Sequence, residues 1–510
     1  MKDKKNVVKW NFVFYLLEFL YTILVGIILV PLYLKYIPKD LYGFWLATGN
    51  ILSILTLINP GFSDVIQQKV AYCYGLHDYK KIGLYTVSGI CLTFVFSLIV
   101  LIIGVVVNLL IGSIFTMQAN YLYELKIAFG LMLVGTFLTI NYYSFSSILY
   151  AFLSSKSIGL IVLLGNSLGT LISIYLIIHG YGLIALGIAS VVRGGVFLSC
   201  SVGYVIFKFR KKKIKIVFDL NNVKEIFSFS IYNFLGKTGQ TLLTNMNSFL
   251  TAKFVSPIDA ANLRFTQTVP EFGKVLVLRF LYSVAPIIPN LLAAKGLESI
   301  RIKLLNIVYF LISFIFLVCI GFYLLNEQFI YLWLGENNFS GKIINFFIII
   351  LLFFSSINKV CFQFLFALGD IKKSNKILFY QSLLYLPIAV FTTKFCGIIG
   401  LLLSGILVEL LALFIFFFPK MVDILNISKI DIRKKLFVEL TKISFVTVIT
   451  LLIGSCVKFS NPSWLLFFVE IVFIVLTFFV LLFLCSKTFR NLLSICCLLY
   501  TSPSPRDGLL

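Results

Sequence analysis

The chain has 510 residues, 60% of them hydrophobic and only 12% charged, with a mean hydropathy of +1.03; this excludes an ordinary soluble domain and indicates a polytopic membrane protein. The formal net charge of +23 is carried between apolar segments, which excludes a basic nucleic-acid-recognition domain and points to membrane orientation instead. Two histidines, and ten cysteines that lie mostly inside apolar runs without C-x-x-C spacing, leave no material for a histidine-based catalytic or metal site, so no cofactor is expected.

The basic start, MKDKKNVVKW, leads into an apolar run that continues past Pro31 without a small-residue cleavage site, the pattern of a first transmembrane helix rather than a cleaved signal. Runs long enough to cross a roughly 30 Å hydrocarbon layer occur at 10–34, 42–66, 83–112, 121–151, 157–178 and 182–207. After a basic stretch opening with KFRKKKIK, six more follow at 226–252, 260–292, 303–326, 342–368, 375–394 and 397–419, and a final pair at 437–457 and 463–485. The expectation is therefore an all-α protein of about 14 transmembrane helices. It comprises an N-terminal lobe (1–207), a basic cytoplasmic linker (208–224), a C-terminal lobe (225–420), an extra helix pair (421–487) and a tail (488–510). The last 13 residues, Leu498–Leu510, break sharply in composition and resemble translated vector sequence.

Loops on the side of the N-terminus carry roughly 29 Lys and Arg against roughly 8 on the other, which places both termini in the cytoplasm. The opposite loops are short, so no extracellular domain is expected to do chemistry. The two six-helix series share landmarks in the same order. KYIPKDLYGFW from Lys35 corresponds to KFVSPIDAANLRF from Lys253, and GLIALGIASVV from Gly182 to GIIGLLLSGIL from Gly397. An even number of helices per copy makes these parallel repeats.

The eighth run is unusual. Arg264, Gln267, Glu271, Lys274 and Arg279 fall within one face roughly 140° wide at the helical period, with Thr268 and Tyr282 near its centre. Lipid offers such groups no partner, so the stripe must face protein or a water-filled pathway. Internal ion pairs are the alternative, because Glu271 lies three residues before Lys274 and seven after Arg264. On the seventh run Lys237, Gln240, Thr241, Thr244, Ser248 and Thr251 form another stripe, flanked by Asn245 and Asn247. The first run adds Glu18 with Tyr15 and Thr22, and the second Ser53, Thr56, Asn59, Ser63, Asp64 and Gln67. For the uncharged groups, helix-to-helix hydrogen bonding is an equal alternative. Arg193, Lys359, Glu409 and Glu470 read as isolated embedded charges that pair across helices or snorkel, not as sites. Lys208–Lys215 reads as a cytoplasmic anchor near anionic lipid.

The opening PLYLKYIPKDLYGFWLATGNILSILTLINPGFSDVIQQKVA, with Tyr42–Gly43 and Gly61, together with the paired six-helix series and the charged eighth run, resembles the Wzx-type polysaccharide flippase family. That family is a branch of the multidrug, oligosaccharidyl-lipid and polysaccharide exporter superfamily. The resemblance implies two lobes in a V around a cavity lined by helices one, two, seven and eight. It also implies a non-enzymatic role, the movement of a polyprenyl-diphosphate-linked oligosaccharide, of the kind used for O-antigen or capsule, to the outer leaflet of a bacterial or archaeal cytoplasmic membrane. Arg264, Lys274 and Arg279 then read as a diphosphate ladder. Lys237, Gln240, Asn245, Gln267, Glu18 and Glu271 read as further cavity groups, one of the glutamates serving a coupling H+ or Na+. Contact with polysaccharide assembly proteins belongs to the same expectation. A cation-coupled drug exporter of the superfamily and a membrane polysaccharide polymerase or ligase are the competing readings.

Overall fold

The computed structural model describes residues 2–58, 61–284, 287–367, 371–424, 430–457, 463–486 and 488–490. Asn59 and the tail 491–510 lie outside the described residues, as do the side chains of Tyr15, Lys237, Gln240 and Tyr282. The described elements are all helical: α1 (Lys2–Tyr36), α2 (Lys39–Leu55), α3 (Phe62–Gly75), α4 (Tyr79–Ile114), α5 (Ala119–Ala151), α6 (Ser155–Ile178), α7 (Gly182–Lys212), α8 (Leu220–Asn245), α9 (Asn247–Phe254), α10 (Pro257–Val284), α11 (Ile287–Leu334), α12 (Lys342–Ala367), α13 (Ile371–Leu411), α14 (Phe418–Ile424), α15 (Ile430–Cys456) and α16 (Trp464–Cys485). Among the described residues, 10 helical stretches are long and apolar enough to cross a membrane.

Four expected spans differ in detail. The second is broken: α2 gives way to a single 3-10 turn, Thr56–Ile58, and α3 begins after Gly61, whose φ of 83° is costly for any residue with a Cβ. The seventh is broken at Met246, between α8 and α9. The eleventh and twelfth run together as α13, with the chain reversing its backbone geometry only at Gly397 (φ 58°, ψ −144°).

The chain divides into two compact units. The first comprises Met1–Ala261 and Leu378–Gly397, so α8, α9 and a segment of α13 pack with α1–α7. Its core gathers Phe62, Ile66, Ile82, Ile148, Leu149 and Ile226 from α3, α4, α5 and α8. With apolar lipid on the outside, the hydrophobic effect does little to join membrane helices, and close approach and hydrogen bonds must do it. Both are present. Between α5 and α7, a Cβ on Gly135 would lie 2.3 Å from Ser190 Oγ, and one on Gly194 would lie 2.7 Å from the Gly135 carbonyl oxygen. Between α4 and α5, Asn141 Nδ2 donates to Ser97 Oγ at 2.9 Å and Ser144 Oγ to Thr93 Oγ1 at 2.6 Å. Against α8, Gly239 leaves only 2.5 Å between its absent Cβ and the Leu378 carbonyl oxygen of α13. Lys69 of α3 pairs with Glu225 in the second turn of α8, and Tyr85 of α4 donates to the same carboxylate at 3.0 Å.

The second unit comprises Asn262–Ile377 and Ile398–Leu510. Its core is built by Val277, Leu281, Leu304, Ile315, Phe364 and Phe417 from α10, α11, α12 and the end of α13 with the π-helical turn that follows it. Asn326 of α11 donates to the Thr266 carbonyl of α10 (2.9 Å) and to Asn345 Oδ1 of α12 (2.7 Å), tying three helices at one end. Near the middle of α11, Tyr309 donates to Ser486 Oγ (2.8 Å), which donates to Glu439 Oε2 of α15 (2.8 Å).

This packing can be tested at the α5–α7 seam and at the Lys69–Glu225 pair. Gly135→Leu overpacks the seam and should cost about 1–3 kcal/mol, lowering the thermal midpoint of the detergent-purified protein. Gly195→Leu, with nothing within 4 Å of its Cβ position, should leave the midpoint unchanged. The hydrogen bond from Lys69 holds the Glu225 carboxyl below its ordinary 4.5. A carboxylate with a lowered folded value stabilises the fold above its unfolded value and loses that contribution as pH falls through the folded one. Below pH 4.5, thermal stability should therefore decline less steeply in Glu225→Gln than in the unmodified protein.

Candidate functional site

In the second unit, α10 carries its polar stripe as expected and continues helically through Pro270. Arg264 Nη1 donates to Glu271 Oε2 at 2.8 Å, with side chains 43% and 47% exposed. An ion pair so open to its surroundings contributes little stability and exchanges partners readily. This arm of the stripe thus follows the ion-pair alternative. Gln267 is buried and Arg279 is exposed. Thr268 turns its hydroxyl back to the Arg264 carbonyl at 2.7 Å, which satisfies it locally.

Deeper in α10 the chemistry changes. Gly273 lets α10 approach α11, since a Cβ there would lie 2.3 Å from Phe322, and Lys274 one residue later reaches α12. Its Nζ donates to Ser355 Oγ at 2.7 Å. One turn further along α12, Asn358 Nδ2 donates to the Glu409 carboxylate of α13 at 2.5 Å and to the Glu409 carbonyl at 2.8 Å. Lys359 follows, its Nζ 5.7 Å from the Phe362 ring centroid, and Glu409 acts electrostatically on both Lys274 and Lys359. Three helices therefore bring two ammonium groups and one carboxylate into mutual range, with Ser355 and Asn358 supplying neutral hydrogen bonds.

Sequence reasoning placed Lys274 in a pathway and read Lys359 and Glu409 as embedded charges that pair across helices or snorkel; the structure shows the first of these. The signal available was the polar run Ser355, Ser356, Asn358, Lys359 inside an otherwise apolar helix. What it could not give was the partner, 51 positions away from Asn358 in the case of Glu409.

The first unit places the remaining residues. Glu18 of α1 lies beside α6, bordering a small cavity of about 20 Å³ with Phe14, Tyr150, Ser155 and Gly159, and Thr22 donates to its carbonyl at 2.8 Å. Ser53 and Thr56 donate to their own helix, to Gly49 O and Ser53 O, which is the bland use of a membrane hydroxyl. Asp64 and Gln67 are exposed on α3. At the α8–α9 break, Asn245 is half-buried and Asn247 Oδ1 accepts from Tyr385 OH of α13 at 2.9 Å. Lys237 and Gln240 lie on α8 one to two turns before that break. Interrupted helices at membrane depth expose backbone donors and acceptors, and are tolerated only where protein or a water-lined cavity receives them. Arg193 is exposed on α7.

No protein-family profile matches the chain, and no curated protein sequence does either. Solved structures do. The lipid II flippase MurJ in an inward closed conformation superposes with a TM-score of 0.65 at 17% identity, over 94% of this chain and 100% of that one. An inward-facing multidrug-resistance MATE transporter of the MOP superfamily gives 0.63 at 14% identity, over 78% of this chain and 99% of its own. A mutant of the Vibrio cholerae MATE transporter VcmN gives 0.58 at 17% identity, over 83% and 98%. The chain has the fold of these membrane transporters.

The cluster on α10, α12 and α13 makes its own prediction. Asn358→Leu removes two hydrogen bonds to Glu409, one of them to a charged group, and should destabilise the protein by about 1.5–3 kcal/mol. Glu409→Gln should lower the thermal midpoint by leaving Lys274 and Lys359 without their shared counter-charge, and adding Lys359→Met should recover part of the loss. Equal midpoints for the single and double variants would separate these charges.

Proposed function

We propose that this chain is a flippase that carries a polyprenyl-diphosphate-linked oligosaccharide from the cytoplasmic to the outer leaflet for cell-surface polysaccharide assembly. The observation that carries the reading is the local excess of cations along the α10 stripe and the α12–α13 cluster it meets: Arg264, Lys274, Arg279 and Lys359 against Glu271 and Glu409. An anionic cargo is favoured there and a cationic drug is not. Coverage supports the same choice, since the lipid II flippase aligns with 94% of this chain and the two MATE transporters with 78% and 83%.

In this reading α10 runs from the outer to the cytoplasmic side, and Arg264 and Arg279 are about 22 Å apart at 1.5 Å per residue. Arg279 meets the diphosphate first and Lys274 with Lys359 holds it at mid-depth through charge-assisted hydrogen bonds. Arg264 receives it last. Glu271, already on Arg264, competes for that cation and favours release. Two lobes rocking about the site, both termini in the cytoplasm of a bacterial or archaeal cell, complete the proposal. Glu18 or Glu271 is assigned the coupling H+ or Na+, and assembly proteins are the assigned receivers of the product.

Reconstituted vesicles containing a polyprenyl-diphosphate oligosaccharide test it. Arg279→Ala should slow loading from the cytoplasmic leaflet, Arg264→Ala should slow release, and the triple variant with Lys274→Ala should lose flipping, with membrane insertion confirmed for each. A triple variant that flips at the unmodified rate would sink the ladder and leave a lipid groove without diphosphate recognition. Glu→Gln variants with unchanged pH and ion dependence would remove the coupling role.

A further inference from the structure

A second polar cavity lies in the same unit and plays no part in the proposed cargo pathway. It measures about 210 Å³ and opens among one set of ends of α11, α12, α15 and α16. Glu327 and Tyr323 of α11, Lys342 and Asn345 of α12, Ser455 of α15 and Glu470 of α16 are among the residues that line it. All four helices end here at the connections 335–341 and 457–463, so the cavity sits at the level where a bilayer's headgroups meet its hydrocarbon.

The charges are ordered by depth. Lys342 stands at the first position of α12, its side chain 79% exposed, and faces Glu327 across 3.8 Å. That spacing and exposure make a weak pair, free to open. Glu470 is only 4% exposed and lies six residues past Trp464, about 9 Å deeper along α16. It is the single acidic residue of a 22-residue helix whose span has a mean hydropathy of 3.0. A carboxylate in such a helix is expensive to retain and is directed to a use. Two carboxylates and one ammonium give the cavity a net charge of −1, with the negative end inward and the positive end at the rim. Leu324, Phe339, Phe473 and Ile474 supply apolar walls, and exposed Phe346 continues them outward, its ring 6.3 Å from that of Tyr323.

We infer that this cavity binds the headgroup of a phospholipid carrying a primary ammonium. The ammonium donates to Glu470 and Glu327, the phosphate takes Lys342 in place of Glu327, and the acyl chains lie on the apolar rim. A bare metal cation would use neither Lys342 nor the hydrophobic walls. A quaternary headgroup has no N–H to donate, and an anionic glycerol headgroup would meet two carboxylates.

The test is binding of pyrene-labelled phosphatidylethanolamine, phosphatidylcholine and phosphatidylglycerol to the full chain in detergent, read by energy transfer from tryptophan, Trp464 standing at the start of the helix that carries Glu470. The unmodified protein should prefer the ethanolamine lipid by about tenfold or more, the scale of one charge-assisted hydrogen bond. Glu470→Gln should abolish the preference while leaving the thermal midpoint in phosphatidylcholine nanodiscs unchanged. Glu327→Gln, at the exposed rim, should reduce it even where Glu470→Gln does not fold. Three results would overturn the inference: equal binding of the three lipids, a preference that survives both substitutions, or competition by free ethanolamine at the lipid's own affinity, which would make a soluble amine the ligand.

Discussion

An ionised side chain in hydrocarbon has to find its partner inside the protein, and much of this structure is arranged by that requirement. Lys274 cannot face lipid, so α10 is turned toward Ser355 of α12. Glu409 cannot face lipid either, and Asn358 of α12 holds both its carboxylate and its carbonyl. Helix α12 is thereby fixed from two sides by polar bonds that cost more to break in this setting than they would in water. Glu439 repeats the device elsewhere in the unit, where Ser486 relays its hydrogen bond to Tyr309. The orientation of four long helices is thus specified at a handful of polar points, while the apolar surface between them sets only proximity.

The same requirement divides α10 into two kinds of site. Toward its start, Arg264 and Glu271 face each other in an exposed pair that exchanges partners at little cost. Toward its middle, Lys274 is held by a neighbouring helix and shares its field with Lys359 and Glu409. One helix thus carries both a cation free to change partners and a cation held in place. Pro270 lies between them, removing one backbone hydrogen bond where the helix would otherwise be stiffest.

Much of this was legible in the chain itself. Hydropathy alone located the membrane-length runs, and the helical period put the α10 stripe on one face. The break in the second span had its signal in Asn59-Pro60-Gly61, a turn-forming triplet, hidden by the apolar residues on both sides. The break at Met246 had none: Asn245, Met246 and Asn247 are compatible with a continuous helix, and tertiary packing decides. Lys359 and Glu409 looked solitary because their meeting depends on how α12 faces α13. Nothing in a one-dimensional pattern reports the rotation of one helix against another. The compact units likewise cut across the sequence repeats, gathering α8 and α9 with the first seven helices.

The membership of Leu378–Gly397 in the first unit has a bearing on how the protein is made. A ribosome delivers α1 to α9 in order, and the α5–α7 seam can close as soon as both helices are in the bilayer. The contact of Gly239 with Leu378, and the bond from Tyr385 to Asn247, must wait until well over a hundred further residues have emerged. During that interval the α8–α9 break is packed by α2 and α4 but lacks its contacts with α13. The first unit is therefore completed late, and a stalled or truncated product ending before Leu378 would leave Gly239 and Asn247 without the α13 contacts that close it.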